Sequence, residues 1–99
     1  MSIRSYKNQG TAEIAKGINS KAARQILPSE LHGQARRRLA RLQAAVSLDD
    51  IRGLRGNRYH PLHGRRRGQH AIAINDQYRI CFQWTGQDAE EVEIVDYHC

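Results

Sequence analysis

The sequence contains no run approaching the roughly 20 apolar residues that a membrane-spanning helix requires, so a role inside a bilayer is not expected. Its N-terminus lacks an apolar h-region and does not read as a secretory signal. Cysteine is scarce. Cys81 sits inside "YRICFQW", where a small buried apolar residue is expected, and Cys99 is the last residue. Two cysteines so placed make a poor disulfide framework, which points to a reducing cytoplasm. Internal repeats and low-complexity tracts are absent. At 99 residues and 39% apolar content, the expectation is one domain over residues 1–99, able to bury little more than one layer of helix on sheet.

Charge is unevenly missing as well. Residues 52–79 hold seven arginines and one acid, Asp76, whereas residues 80–99 hold five acids and neither Lys nor Arg. The net charge of +6 and pI near 9.9 favour a polyanionic or acidic partner. The acidic last segment must then lie beside something basic, or it would repel a nucleic acid.

Periodicity gives the elements. "SIRSY" alternates apolar and polar residues and predicts a short strand. "GTAEIAKGI" is weakly helical and closes on Gly17, and residues 19–28 mix helix formers up to a stop at Pro28. Ser29 is suited to cap a helix over residues 29–46, whose stripe is Leu31, Ala35, Leu39, Leu42 and Val46. Arg36, Arg37, Arg38 and Arg41 fall mostly off that stripe, as a solvated face or a partner-binding one. "SLDDIRGLRG" reads as an irregular connection around Gly53 and Gly56. "HAIAIN", a polar turn at "DQ", and "YRICFQW" predict a hairpin, and "EVEIVDY" a last strand after the turn "TGQDAE". The fold class is α+β: a small antiparallel sheet of three or four strands, with N-terminal helices packed on one face. Val92, Ile94 and Asp96 share one face of the last strand, Glu93, Val95 and Tyr97 the other. Strand adjacency would bring Arg79 near the polar end of that strand.

The residues able to do chemistry are His60, His63, Arg79, Asp96, Tyr97 and His98, with Arg65, Arg66 and Arg67 close in sequence. Cleavage of RNA requires a base for the ribose 2′-hydroxyl, an acid for the leaving 5′-oxygen, and cations for the charge that grows on the phosphoryl oxygens. Imidazole suits the proton transfers, a phenol donates or orients, and guanidinium matches phosphate. Plainer readings exist for each: exposed loop histidines, a solvated basic loop, Asp96 as an ion-pair partner, Tyr97 as cover for the sheet edge. His60-x-x-His63 with His98 and Cys99 has a spacing that zinc accepts, yet two of these ligands stand at the chain end, so neither metal nor other cofactor is expected.

The stretch "GNRYHPLHGRRRGQHAIAINDQYRICFQW", followed by "VEIVDYHC", resembles the HigB toxins, a branch of the RelE/ParE superfamily of bacterial toxin–antitoxin systems. The pattern matches at Asn57, Arg58, Leu62, Gly64, Arg66, Gly68, Gln69, Ile72, Ile74 through Gln77, Arg79 through Phe82, Trp84, and Val92 through His98. With "IRSY" and "LDDIRG", the resemblance covers nearly the whole chain. It implies a compact toxin that enters the ribosomal A site and cuts messenger RNA. It also implies a HigA-type helix-turn-helix antitoxin, through which alone the toxin would reach promoter DNA. Family roles map onto Asp96–Tyr97–His98 and the basic loop with its following strands. The expected catalytic set is His63, Arg79, Asp96, Tyr97 and His98. The expected contacts to message or ribosome are Arg58, His60, Arg65, Arg66, Arg67 and Asn75. Two positions depart from the pattern. His63 stands where relatives commonly carry Lys, which keeps a proton carrier and loses a permanent cation, and Ala73 stands where an arginine is common, which removes a charge. The alternatives are a non-hydrolytic antitoxin- or nucleic-acid-binding module, such as a co-repressor, and gyrase poisoning, against which the DYH ending argues.

Overall fold

The computed structural model describes residues 3–53 and 58–96; Asn57, Tyr97, His98 and Cys99 therefore lie outside the described residues. The first helix, α1 (Gln9–Ala15), starts at Asn8, whose side-chain oxygen accepts the amide of Thr11 at 2.9 Å. It closes at Gly17, which is left-handed with φ of 81°. The second, α2 (Lys21–Ile26), is capped by Ser20 and gives way to extended Leu27, as the residue before a proline prefers. The two helices cross closely at Gly10. A Cβ there would lie 2.7 Å from the Ala22 carbonyl oxygen and 2.9 Å from Ile26 Cδ1.

The long helix is shorter than its apolar stripe predicts. Ser29–Leu31 is a single 3-10 turn without a side-chain cap, so Ser29 does not play the capping role, and α3 runs His32–Ala44. Leu31, Ala35, Leu39 and Leu42 line the core side as expected, but Val46 is 77% exposed. The reason lies downstream. Ser47 and Asp50 form a reciprocal capping box, and the Asp50 carboxylate also takes the Val46 amide at 3.0 Å, so the chain turns out of α3 to begin α4 (Leu48–Arg52). The segment expected as an irregular connection thus carries a short helix, with Ile51 buried. Among the described residues no helix is long and apolar enough to cross a membrane.

Four antiparallel strands follow in spatial order β1-β2-β3-β4: His60–Pro61, Gln69–Ala73, Tyr78–Trp84 and Ala89–Asp96. The predicted hairpin and last strand are both present. The β2–β3 turn is built by Asn75, whose Oδ1 accepts the amides of Gln77 (2.9 Å) and Tyr78 (2.7 Å). In register, Ile72 faces Ile80, which faces Ile94. These residues with Ile74, Phe82 and Val92 meet Ile14, Ala23, Leu27, Leu39, Leu42 and Ile51 from the helices in one core. The expected α+β class therefore holds. Along β4 the register slips once between Cys81 and Gln83, and Glu91, with φ of 51°, is the extra residue of the bulge.

The predicted N-terminal strand is reduced to two parallel bridges, Ile3 with Ala89 and Tyr6 with Val92. Its amides and carbonyls nevertheless seal the outer edge of β4: Arg4 N–H donates to the Ala89 carbonyl at 2.8 Å, Val92 to Ser5 at 3.1 Å, and Lys7 to Val92 at 2.9 Å. Buried Thr11 completes the seam, its hydroxyl accepting the Ile94 amide at 3.1 Å and donating to Asn8 at 2.7 Å.

On the helix-facing side a ladder of rings crosses the sheet. Tyr59 stacks on His70 (5.7 Å between centroids), His70 on Phe82 (5.6 Å), and Phe82 meets Trp84 edge-on. Arg52 of α4 lies over the Tyr59 ring at 5.7 Å. The Tyr59 hydroxyl and His70 Nδ1 are 2.6 Å apart and hydrogen-bonded. Burial first, and Arg52 second, hold the His70 imidazole below its ordinary range.

Two outcomes are expected. Gly10→Ala forces the α1–α2 backbones apart and lowers stability by about 1–3 kcal/mol, as overpacking does, read by urea unfolding of the purified protein. For His70, the unfolded chain takes up its proton near the ordinary pKa while the folded chain resists until lower pH. His70 thus contributes stability above about pH 6.5 that declines as the pH falls below it. Unfolding midpoints compared at about pH 7.5 and about pH 5.5 should drop in the parent and drop less in His70→Gln.

Candidate active site

The two faces of the sheet have different fates. Ile72, Ile80 and Ile94 point to the helices. Arg79, Cys81, Glu93 and Val95, in register with Ala71 and Ala73, lie on the other face. There Leu62, Ala71, Cys81 and Val95 form a second, small apolar cluster in which no residue of the four helices takes part. This face is floored by small residues and ringed by polar ones.

Arg79 is half-buried on it, between Ala73 of β2 and Val95 of β4. The expected approach of Arg79 to the polar end of the last strand is therefore found, one residue from Asp96. Its guanidinium donates to the Asn75 carbonyl and, at 3.1 Å, to that of Tyr78, which fixes the cation over the β2–β3 turn. Ala73, where the resemblance leads one to expect an arginine, is the direct cross-strand neighbour of Arg79.

Asp96 is exposed and pairs with Tyr78, so it stands on the side of β4 opposite to Arg79 and Val95. Gln77 donates to its carboxylate at 3.1 Å. Tyr97 and His98 lie outside the described residues.

The basic loop divides into tethered and outward residues. His63 is exposed and precedes a 3-10 turn, Gly64–Arg66, with Gly64 at φ of 64°. Arg65 and Arg67 are exposed, and no carboxylate pairs with either among the described residues. Arg66 instead reaches over the open face to Glu93, with Nη1 2.8 Å from Oε1, and donates to Gln69 at 3.1 Å. Lys7 approaches the same carboxylate at 3.7 Å. The acidic last segment does lie beside basic groups, as its composition requires.

The remaining expected contact residues are more occupied than their sequence context suggests. Arg58, itself at φ of 47°, forms an ion pair with Asp76 at 2.7 Å, and that bond holds the Asp76 carboxyl below its ordinary range. Asn75 spends its side-chain oxygen on the turn. His60 is exposed in β1 opposite Ala71. Cys81 is fully buried, and desolvation pushes its thiol up to about 11, so it packs as an apolar residue and not as a nucleophile. No cluster of three His, Cys, Asp or Glu side chains with metal-holding geometry occurs among the described residues.

Glu93 was not among the residues expected to matter. The available signal was an acid flanked by valine and isoleucine in an alternating strand, on the same face as Val95. Such an acid must bury its charge against cations supplied from elsewhere in the chain.

A family model described as the RelE-like toxin of the type II toxin–antitoxin system HigB matches residues 14–98. A curated relative, Toxin HigB-1 of Vibrio cholerae, is 39% identical over 59 residues, covering 60% of this chain and 62% of that protein. The matched stretch thus spans less than two thirds of the relative's length.

Proposed function

This chain belongs to the HigB-like family of RelE-like toxins of type II toxin–antitoxin systems, and on that premise we propose that it is a ribosome-dependent endoribonuclease that cuts messenger RNA in the A site. It would act in the cytoplasm, away from membranes, as one toxin domain over residues 1–99. A HigA-type helix-turn-helix antitoxin would hold it in check and carry it to promoter DNA.

The observation that carries this reading is the sheet face that the helices leave uncovered, with Arg79 fixed beside the strand that leads into Asp96–Tyr97–His98. A guanidinium already oriented by two carbonyls needs little reorganisation to meet the charge growing on a phosphoryl group. If the alternation ran on past Asp96, Tyr97 would share the face of Arg79, where it would orient or stack on a base, and His98 would share the face of Asp96. On this reading the chain bends near Asp96 and would bring all three to one phosphate. His98 and His63 are the two proton carriers, one as base and one as acid. Arg58, His60, Arg65, Arg66, Arg67 and Asn75 supply the surface for RNA of message or ribosome, and such phosphate contacts make binding salt-dependent. None of these steps calls on a metal.

Purified protein should therefore cut translated message on ribosomes in the presence of EDTA. His98→Ala should lose on the order of 10²–10⁴-fold in rate while remaining folded. Arg79→Ala should lose on the order of 10²–10³-fold at saturating ribosomes. If His98→Ala cleaves like the parent, the tail is structural and the chemistry must be rebuilt around His63 and Arg79. Growth arrest that persists in cells expressing His98→Ala, without cleavage, would instead support a non-hydrolytic binding module.

A further inference from the structure

The least expected group on the open face is the carboxylate of Glu93. It is 8% exposed, in a row with Val95, and directly opposite buried Cys81. An acid so placed is costly unless paired. It has one cation from each side of the sheet. Lys7 comes from the N-terminal segment along the outer edge of β4, at 3.7 Å. Arg66 comes from the β1–β2 loop at the far side, at 2.8 Å. Because the strand order is β1-β2-β3-β4, β2 and β3 lie between the loop that carries Arg66 and the strand that carries Glu93, so the pair links the two margins of the open face. Arg66 also donates to Gln69 of β2 at 3.1 Å. It is a strap over the open face.

The strap continues into the backbone of the loop. The Arg66 amide donates to the His63 carbonyl at 3.3 Å, and the Arg67 amide to the Gly64 carbonyl at 3.1 Å. Leu62, just before His63, buries its side chain in the cluster with Ala71, Cys81 and Val95, and its amide donates to the Gln69 carbonyl at 2.9 Å. The loop is therefore held at two points, Leu62 and Arg66. Between and beyond them stand the outward side chains His63, Arg65 and Arg67. With left-handed glycines at Gly64 and Gly68, the backbone of this loop has alternatives that these anchors restrict.

We propose that Glu93 is a positioning residue for RNA cleavage: through Arg66 it fixes the Gly64–Arg66 turn, and with it the direction in which His63 faces the reacting phosphate. The proposal rests on the endoribonuclease reading, in which His63 touches substrate and Glu93 does not. A displacement of His63 by about an ångström is sufficient to cost on the order of 10²-fold. The exposed Arg65 and Arg67 would still attract RNA if the strap were lost, so the cost should fall on turnover and not on capture.

The test uses the full chain, ribosomes programmed with a message, and E93Q, which keeps the shape and removes the charge. Turnover at saturating ribosomes should fall about tenfold to a hundredfold, with KM for ribosomes near that of the parent. Amide hydrogen exchange in residues 63–67 should accelerate while that of the β2–β3 hairpin stays at the parent level. R66M should raise KM, since it removes an arginine, and should also lower turnover. In the E93Q/R66M double variant, turnover should be no lower than in the worse single variant, because the two residues act through one contact. Parent-like turnover in E93Q overturns the proposal. Lost turnover with parent-like loop exchange also overturns it, since Glu93 would then act on substrate directly, as would additive losses in the double variant. If E93Q does not fold, R66M leaves the carboxylate with Lys7 and carries the same two readouts. A parent that cuts no message defeats the endoribonuclease reading, whereas the exchange comparison still decides whether Glu93 sets the loop.

Discussion

The outer edge of β4 is the constraint from which the rest of this structure follows. A long terminal strand whose amides and carbonyls faced solvent would be a weak place to carry a site and a ready template for pairing with another chain. Here the opposite end of the chain closes it. Arg4, Ser5 and Lys7 exchange backbone hydrogen bonds with Ala89 and Val92, and Thr11 takes the amide of Ile94 from within the core. The Thr11 contact also sets α1 against β4, and α1 is held to α2 by an approach that only glycine permits at position 10. Helices, N-terminal segment and last strand are thus fixed by one set of hydrogen bonds. Asp96 gains a rigid base although it stands near the chain end.

That arrangement decides which sheet face is available. Once α1 to α4 have covered Ile72, Ile80, Phe82 and Ile94, no helix remains for the other side. Its floor is built of Ala71, Ala73 and Cys81, small enough for long side chains from the margins to lie across it. Arg79 and Arg66 do so in different ways. Two arginines of the same basic region are thus placed differently, Arg79 on the carbonyls of its own hairpin and Arg66 on the Glu93 carboxylate.

Much of this was legible in the sequence, for identifiable reasons. The alternation in residues 70–75, 78–84 and 91–97 predicts the strands and their faces, because a strand with one face buried keeps its apolar set on that face, whereas the bulge at Glu91 leaves no mark in that pattern. The charge asymmetry required that the acids of residues 80–99 meet cations, and Asp88 with Arg4 and Glu93 with Arg66 and Lys7 are those meetings. What could not be read from apolar periodicity and charge counts were the specific hydrogen bonds and ion pairs that each polar side chain makes. Val46 fits the helical stripe, and only the capping box of Ser47 and Asp50 removes it. The arginine triplet looks uniform, and only the position of Glu93 on β4 singles out Arg66. Asn75 and Arg58, expected as contact residues, also serve the fold: Asn75 builds a turn and Arg58 pairs with Asp76.

The acids of the last segment also explain how so basic a chain stays compact. At a net charge of +6, repulsion among arginines opposes folding and would push the basic loop outward. Spreading acids evenly through residues 52–79 would relieve that repulsion and also cancel the attraction for a polyanion. Placing them on β4 separates the two effects. Glu93, itself buried, takes Arg66 from the basic loop and Lys7 from the outer edge of β4, so its charge is neutralised where screening is weakest. Arg65 and Arg67, at the rim, have no carboxylate partner among the described residues. The same acid that would repel RNA if exposed is buried under the arginine it restrains, so the outward field of the loop stays positive while its backbone is held down.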